Sequence, residues 1–199
     1  MKAKLANFPN LGFLIDDVPK NILKSLNQKI SEANIDVSNM LAGNISKEYD
    51  LLHAKDLLES YLIELFHFYN ESYNYTNLVD QVNQPVPITL NNLWVNFQER
   101  GEFNPSHKHS GIMSFVIWLD IPYDIKEESK DAGTFEFVYT DILGNTIPYK
   151  IPVDKNFNGK IIMFPNRLMH SVYPYFSTEK QRITIAGNLA LDVKSTKQG

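Results

Sequence analysis

Gly111-Ile-Met-Ser-Phe-Val-Ile-Trp-Leu-Asp-Ile121 is apolar at nearly every position, whichever parity is read. A strand exposed on one face alternates apolar and polar residues, whereas a strand covered on both faces does not. The stretch therefore predicts a central strand packed on both sides. Around it, prolines at 85, 87, 105, 122, 148, 152, 165 and 174 punctuate short apolar segments. Further strands are expected at 92–99, 134–140, 146–151, 160–164, 170–174 and 182–192, with a hairpin turn at Leu143-Gly144-Asn145. Residues 124–131 (DIKEESKD) read as a charged surface loop.

Upstream of Pro85 the period changes from strand to helix. Ile22, Leu23, Leu26 and Ile30 form one stripe in residues 18–33, with Asp17 as candidate N-cap and Pro19 in the first turn. Leu51, Leu58, Leu62, Leu65, Phe66 and Tyr69 form a broader face over 50–70. The chain thus divides into a helical support region, 1–85, and a strand-rich core, 86–199, expected to form one structural unit. Helices followed by many short strands suggest a mainly β protein, a sandwich or barrel with helices packed outside; a jelly roll is one such solution.

Composition narrows the function. At 199 residues the chain can bury a substantial core without disulfides. It has no cysteine, which excludes a disulfide framework, a thiolate nucleophile and Cys-ligated metal. No apolar run reaches the roughly 20 residues of a membrane span, and the N-terminus lacks the pattern of a signal peptide. A cytoplasmic location is expected. The net charge of −4, without a basic block, argues against a nucleic-acid partner.

Five histidines are present, and three stand out. In an extended segment His107 and His109 of H-K-H point to one side while Lys108 points away. Two such imidazoles can share a metal ion, and a third ligand from a distant strand would leave positions open for substrate and oxygen. H-x-H alone also fits two ordinary imidazoles near a turn. His170 follows the apolar stretch Ile161–Pro165. Arg182 and Thr184, two apart on a predicted strand, share a face and can make a fork for a carboxylate, although without further context an ordinary strand-end arginine is the favoured reading. His53 and His67 read as helix-surface residues.

The order of these pieces carries a family resemblance. Trp94-Val-Asn-Phe-Gln-Glu-Arg-Gly101-Glu-Phe-Asn104-Pro-Ser-His107-Lys-His109 is followed by 110–122, Gly133-Thr-Phe-Glu-Phe, then Gly159-Lys-Ile-Ile-Met-Phe-Pro165-Asn-Arg-Leu-Met-His170 and Arg182-Ile-Thr184. Over about residues 90–190 the chain resembles the 2-oxoglutarate/Fe(II)-dependent oxygenases. It is most similar to a group from phages and marine bacteria with W-x-N, G-x-x-N-x-x-H-x-H, F-P-x-x-x-x-H and R-x-S/T motifs. The gap from Gly101 to His107 also resembles that of prolyl 4-hydroxylases.

The resemblance implies a double-stranded β-helix, or jelly roll, with Fe(II) at one mouth and 2-oxoglutarate as cosubstrate. It implies His107 and His170 as iron ligands, and Arg182 with Thr184 on the cosubstrate's far carboxylate. Asn96 and Asn104 stand at the family's polar positions and become candidate cosubstrate contacts. Most of the superfamily has H-x-D or H-x-E, so His109 stands where a carboxylate is usual and a three-histidine centre is expected. A two-histidine site with an open position is the alternative, but relatives with that opening carry a small residue there. The implied reaction consumes O2, releases succinate and CO2, and hydroxylates a C–H bond of a peptidyl, amino-acid or small-molecule substrate. Two rivals remain at this stage, a three-histidine dioxygenase that does not use 2-oxoglutarate and a non-catalytic jelly-roll binding module. The helical region could pack on the barrel or pair two subunits as a homodimer. If the chain is phage-encoded, the cytoplasm is the host's.

Overall fold

A computed structural model describes residues 3–4, 10–79 and 86–192. In chain order its elements are β1 (Leu14–Asp17), α1 (Lys20–Lys29), β2 (Glu48–Asp50), α2 (Lys55–Tyr73), α3 (Tyr75–Val79), β3 (Ile88–Gln98), β4 (Asn104–His107), β5 (Met113–Asp120), β6 (Thr134–Thr140), β7 (Thr146–Pro152), β8 (Lys160–Pro165), β9 (Met169–Val172) and β10 (Arg182–Leu191). Two antiparallel sheets result. One runs β1-β8-β5-β10-β3-β2, the other β4-β9-β6-β7. This is the mainly β architecture expected from the strand pattern, in the jelly-roll form that the resemblance implies.

Strand parity divides the large sheet into two faces. Leu93 and Val95 of β3, Phe115 and Ile117 of β5, Ile161 and Met163 of β8, and Ile185 and Leu189 of β10 share one core with Leu58, Leu62, Phe66 and Tyr69 of α2 and Leu26 of α1. Trp118, Ile162 and Phe164 face the other way and pack with Phe135, Phe137 and Ile151 of the small sheet. Segment 111–121 is apolar on both parities because β5 lies between β8 and β10 with a core on each side. Polar ties hold the helical layer in register. Glu59 accepts bonds from the Thr89 hydroxyl and the Leu90 amide, and Lys55 donates to Thr89.

The helical region differs from expectation in three places. Asp17 does not cap α1. It ends β1, where its carboxylate takes a bond from Lys160 Nζ at 2.7 Å, and Pro19 stands at the cap position with no side-chain bond. Pairing of β1 with β8 keeps the chain extended through Asp17, so α1 starts late and gives way to a 3-10 turn at Ile30–Glu32. Leu51 precedes α2, its amide bonded to the Leu93 carbonyl. The upstream region also contributes strands, β1 and β2, at the two edges of the large sheet. Pro85 lies outside the described residues. The turn at 143–145 is present, with Gly144 at φ 85° between β6 and β7.

Gly187 of β10 faces the helical layer, where a Cβ would meet the Asn92 carbonyl oxygen at 2.5 Å and Phe115 Cζ at 2.7 Å. Gly187→Ala should therefore overpack the sheet and cost about 1–3 kcal/mol, read as a lowered denaturant midpoint with an unchanged slope.

Candidate metal and cosubstrate site

On the inner face of the large sheet the core gives way to a cavity. Trp94, Asn96 and Gln98 of β3, Arg182, Thr184 and Ala186 of β10, and Val116 and Trp118 of β5 line it. Register places them in rows. Gln98 pairs with Arg182, Asn96 with Thr184, and Trp94 with Ala186. The small sheet supplies the opposite wall, including Phe135, His170 and Val172.

Three imidazoles meet there. His107 ends β4 and is the register partner of His170 on β9. His109 lies just past β4, held by reciprocal bonds with Asn166: its amide donates to the Asn166 carbonyl, and Asn166 Nδ2 donates to the His109 carbonyl. Ring centroids are 4.3 Å apart for His107 and His170, 4.8 Å for His107 and His109, and 5.0 Å for His109 and His170. One nitrogen from each lies within 4.8 Å of the others.

The tautomers follow from the neighbours. His107 Nδ1 faces the Pro105 carbonyl at 2.7 Å, and His170 Nδ1 faces the Leu168 carbonyl at 2.9 Å. A carbonyl only accepts, so each Nδ1 carries hydrogen and each Nε2 keeps its lone pair. Burial, reinforced by the neighbouring His107, pushes His170 down to about 3 and His109 to about 4. Burial lowers His107 as well, partly offset by the Pro105 carbonyl. Three neutral nitrogen donors in a buried pocket suit a borderline transition metal such as Fe(II), and the carbonyl bonds behind two of them are the usual means of fixing ligand orientation.

At the Gln98 end of the cavity Arg182 is 1% exposed. Its Nε and Nη2 donate to Gln98 Oε1, and Nη1 donates to the Tyr123 hydroxyl at 2.6 Å. The guanidinium lies 5.9 Å from the Tyr123 ring centroid and 5.7 Å from that of Tyr175, and the two rings stack on each other at 4.8 Å. Both tyrosines stay neutral, because burial raises their hydroxyls and pushes Tyr175 up to about 12. Among the described residues no carboxylate lies within ion-pair distance of Arg182. A buried cation held only by neutral groups leaves a site for an anion.

The cavity gathers all seven residues singled out in the sequence: His107, His109, His170, Arg182, Thr184, Asn96 and Asn104. Asn96 Nδ2 donates to Thr184 Oγ1 at 3.0 Å. Asn96 Oδ1 and Asn104 Oδ1 are buried without a hydrogen-bond partner among the described residues, as expected of groups that face a ligand. His53 and His67 are exposed on the helical side. Trp94 and Trp118 also wall the cavity, whereas Phe164 is core and Phe103 is partly exposed. Four neighbours escaped the sequence reading: Gln98, Tyr123, Tyr175 and Glu48. Gln98 shares parity with Asn96 and was within reach of that argument. The tyrosines sit in connections with no periodic signal.

A jelly roll that brings three histidines and a lone buried arginine to one cavity is the architecture of a non-haem iron oxygenase. Residues 92–188 match the model of the family described as "Putative 2OG-Fe(II) oxygenase". Solved structures share the fold. A Pseudomonas putida prolyl-4-hydroxylase superposes with a TM-score of 0.58 at 14% identity, over 91% of this chain and 93% of the other. HygX from Streptomyces hygroscopicus, with nickel, 2-oxoglutarate and hygromycin B bound, gives 0.54 at 13%, over 92% and 84%. A Trichoplax adhaerens prolyl hydroxylase, in complex with a hypoxia inducible factor oxygen degradation domain peptide fragment, gives 0.51 at 12%, over 94% and 87%. No curated protein matches by sequence.

The buried imidazoles couple the site to pH. A histidine whose folded-state pKa lies below its unfolded 6.5 gains a proton on unfolding, so acid favours the unfolded chain. The melting temperature of metal-free protein should fall between about pH 6.5 and 4, and His170→Asn, which cannot take up that proton, should fall less steeply over the same range. Calorimetry across that range is the check.

Proposed function

We propose that the cavity is the catalytic centre of a 2-oxoglutarate-dependent hydroxylase in which His107, His109 and His170 hold Fe(II). Arg182, with Thr184, receives the far carboxylate of 2-oxoglutarate, and Asn96 and Asn104 contact the ligands between these two ends. One observation carries the reading: a single cavity joins three neutral imidazoles to a buried guanidinium that has no counter-ion among the described residues. A three-histidine dioxygenase without 2-oxoglutarate would leave that charge unexplained.

When bound, iron with 2-oxoglutarate and O2 supplies the oxidising power that hydroxylates a C–H bond and releases succinate and CO2. The chain's own residues bind, orient and exclude. Arg182 selects a diacid by charge, and its planar fork sets the direction from which the carboxylate approaches. Gln98 and the stacked pair Tyr123 and Tyr175 hold that fork rigid. Phe135 stacks on His170 at 5.7 Å, and Trp94 packs against His109 at 5.8 Å, so aromatic walls keep bulk water from two of the three imidazoles. The absence of a carboxylate among the three removes one negative charge from the metal's surroundings and should leave bound iron more electrophilic.

The primary substrate is a peptidyl, amino-acid or small-molecule C–H donor, in keeping with the peptide and the small molecule bound by two structural relatives. An acidic balance speaks against nucleic acid. No helix among the described residues is long and apolar enough to cross a membrane. A reducing cytoplasm, a host's if the gene is carried by a phage, suits an Fe(II) centre in a chain without cysteine.

The test is an anaerobic titration with Fe(II) and then 2-oxoglutarate, following the visible charge-transfer band of the chelate. Arg182→Ala should bind iron normally yet weaken 2-oxoglutarate about a hundredfold, the expected result of removing one partner of a buried charge pair. Arg182→Lys should fall between, because a point charge replaces a fork. His107→Ala, His109→Ala and His170→Ala should each lose iron. Unaltered 2-oxoglutarate binding in Arg182→Ala would overturn the assignment.

A further inference from the structure

Glu48 is a buried carboxyl that this mechanism does not use. It is 1% exposed and stands on β2 as the register partner of Asn96. Directly opposed residues of an antiparallel pair share a face, with Cβ atoms about 4.5–5.5 Å apart. The next residue, Tyr49, packs on Phe97 in the helical layer, which confirms that Glu48 points inward. Glu48, Asn96 and Thr184 therefore form one row across β2, β3 and β10.

Two oxygens in this row have no donor among the described residues: Glu48 Oε2 and Asn96 Oδ1. Two neighbouring acceptors cannot satisfy each other unless one of them carries a proton. We propose that Glu48 is a positioning residue that keeps its proton, donates it to Asn96 Oδ1, and so sets the donor direction of Thr184 beside Arg182. The inference rests on the reading that Arg182 and Thr184 receive the cosubstrate carboxylate.

The relay follows from the hydrogen bonds. With Glu48 protonated, Asn96 Oδ1 accepts from Glu48 and Asn96 Nδ2 donates to Thr184 Oγ1, as observed at 3.0 Å. Thr184 Oγ1 is then an acceptor for Asn96, and its own hydrogen is free to point at the carboxylate. With Glu48 ionised, the satisfied arrangement reverses. The Asn96 amide turns, its nitrogen donates to the Glu48 carboxylate, and its oxygen takes the Thr184 hydrogen. Thr184 then presents only a lone pair to an anion. One proton at Glu48 thereby decides whether the cosubstrate meets a donor or an acceptor.

The surroundings favour the protonated form. Burial, reinforced by Glu102 and Asp36, raises the Glu48 carboxyl to about 7. Those two carboxylates, from the turn after β3 and the segment before β2, are the charges that act on it. From β3 it faces the neutral Asn96. The adjacent Lys47 is engaged with Glu99 at 2.6 Å, and Arg182 lies two strands away, held by Gln98.

The experiment compares wild type, Glu48→Gln and Glu48→Ala between pH 6 and about 8.5, above the Glu48 value. The dissociation constant of 2-oxoglutarate from the anaerobic Fe(II) protein is one readout. The infrared carbonyl band of a protonated carboxylic acid in metal-free protein is the other. The wild-type constant should rise about tenfold with pH, the loss of one hydrogen bond to a charged group. Glu48→Gln, whose amide donates at every pH, should stay tight and flat. Glu48→Ala should be weak throughout, and the infrared band should be present in wild type at pH 6 and missing from Glu48→Gln. A wild-type profile as flat as that of Glu48→Gln overturns the relay, and absence of the band overturns the protonated carboxyl itself. If wild type fails to bind 2-oxoglutarate at any pH, the reading of Arg182 fails and the relay with it, while the band still reports separately on the Glu48 proton.

Discussion

The site is organised around a buried positive charge that no carboxylate among the described residues cancels. Taking a guanidinium out of water costs several kcal/mol even after relaxation, and Arg182 is given an amide oxygen, a phenol, the Tyr173 carbonyl and two ring faces in return, all of them neutral. Those neutral partners hold the group in place without supplying a negative charge. In the proposed function that missing charge would make the pocket selective, because an anionic ligand would complete a balance that the described residues leave open.

The same strands that make the core make the site, through parity. In β3 the odd positions Leu93 and Val95 pack against the helices while Trp94, Asn96 and Gln98 face the cavity. In β10 Ile185 and Leu189 are core and Arg182, Thr184 and Ala186 are cavity. Functional side chains are thus carried on the most deeply packed strands, where register with both neighbours fixes them. His107 and His170 come from the small sheet as a cross-strand pair. Closure of the two sheets over each other sets the three imidazoles and Arg182 around one cavity.

Much of this is readable from the chain, and the exceptions have physical causes. β3, β5, β6, β7, β8 and β10 are long and apolar or alternating, so their own side chains announce them. β1 (LIDD), β2 (EYD) and β4 (NPSH) are short and polar; only the hydrogen-bonding edges of their neighbours make them strands. That is why Asp17 resembled a helix cap and why Glu48, in a stretch read as helical, went unnoticed. His107, His109, His170 and Arg182 were visible because family motifs and same-face spacing mark them. Tyr123 and Tyr175 reach Arg182 from irregular connections, and nothing local in the sequence points to that meeting.

A crystal structure of the anaerobic complex with Fe(II) and 2-oxoglutarate tests the central claim most directly. The account predicts one metal bound by His107, His109 and His170, with the far carboxylate of 2-oxoglutarate paired to the Arg182 guanidinium and the Gln98 and tyrosine contacts unchanged. Iron on two of the histidines only, or a carboxylate seated away from Arg182, would contradict it.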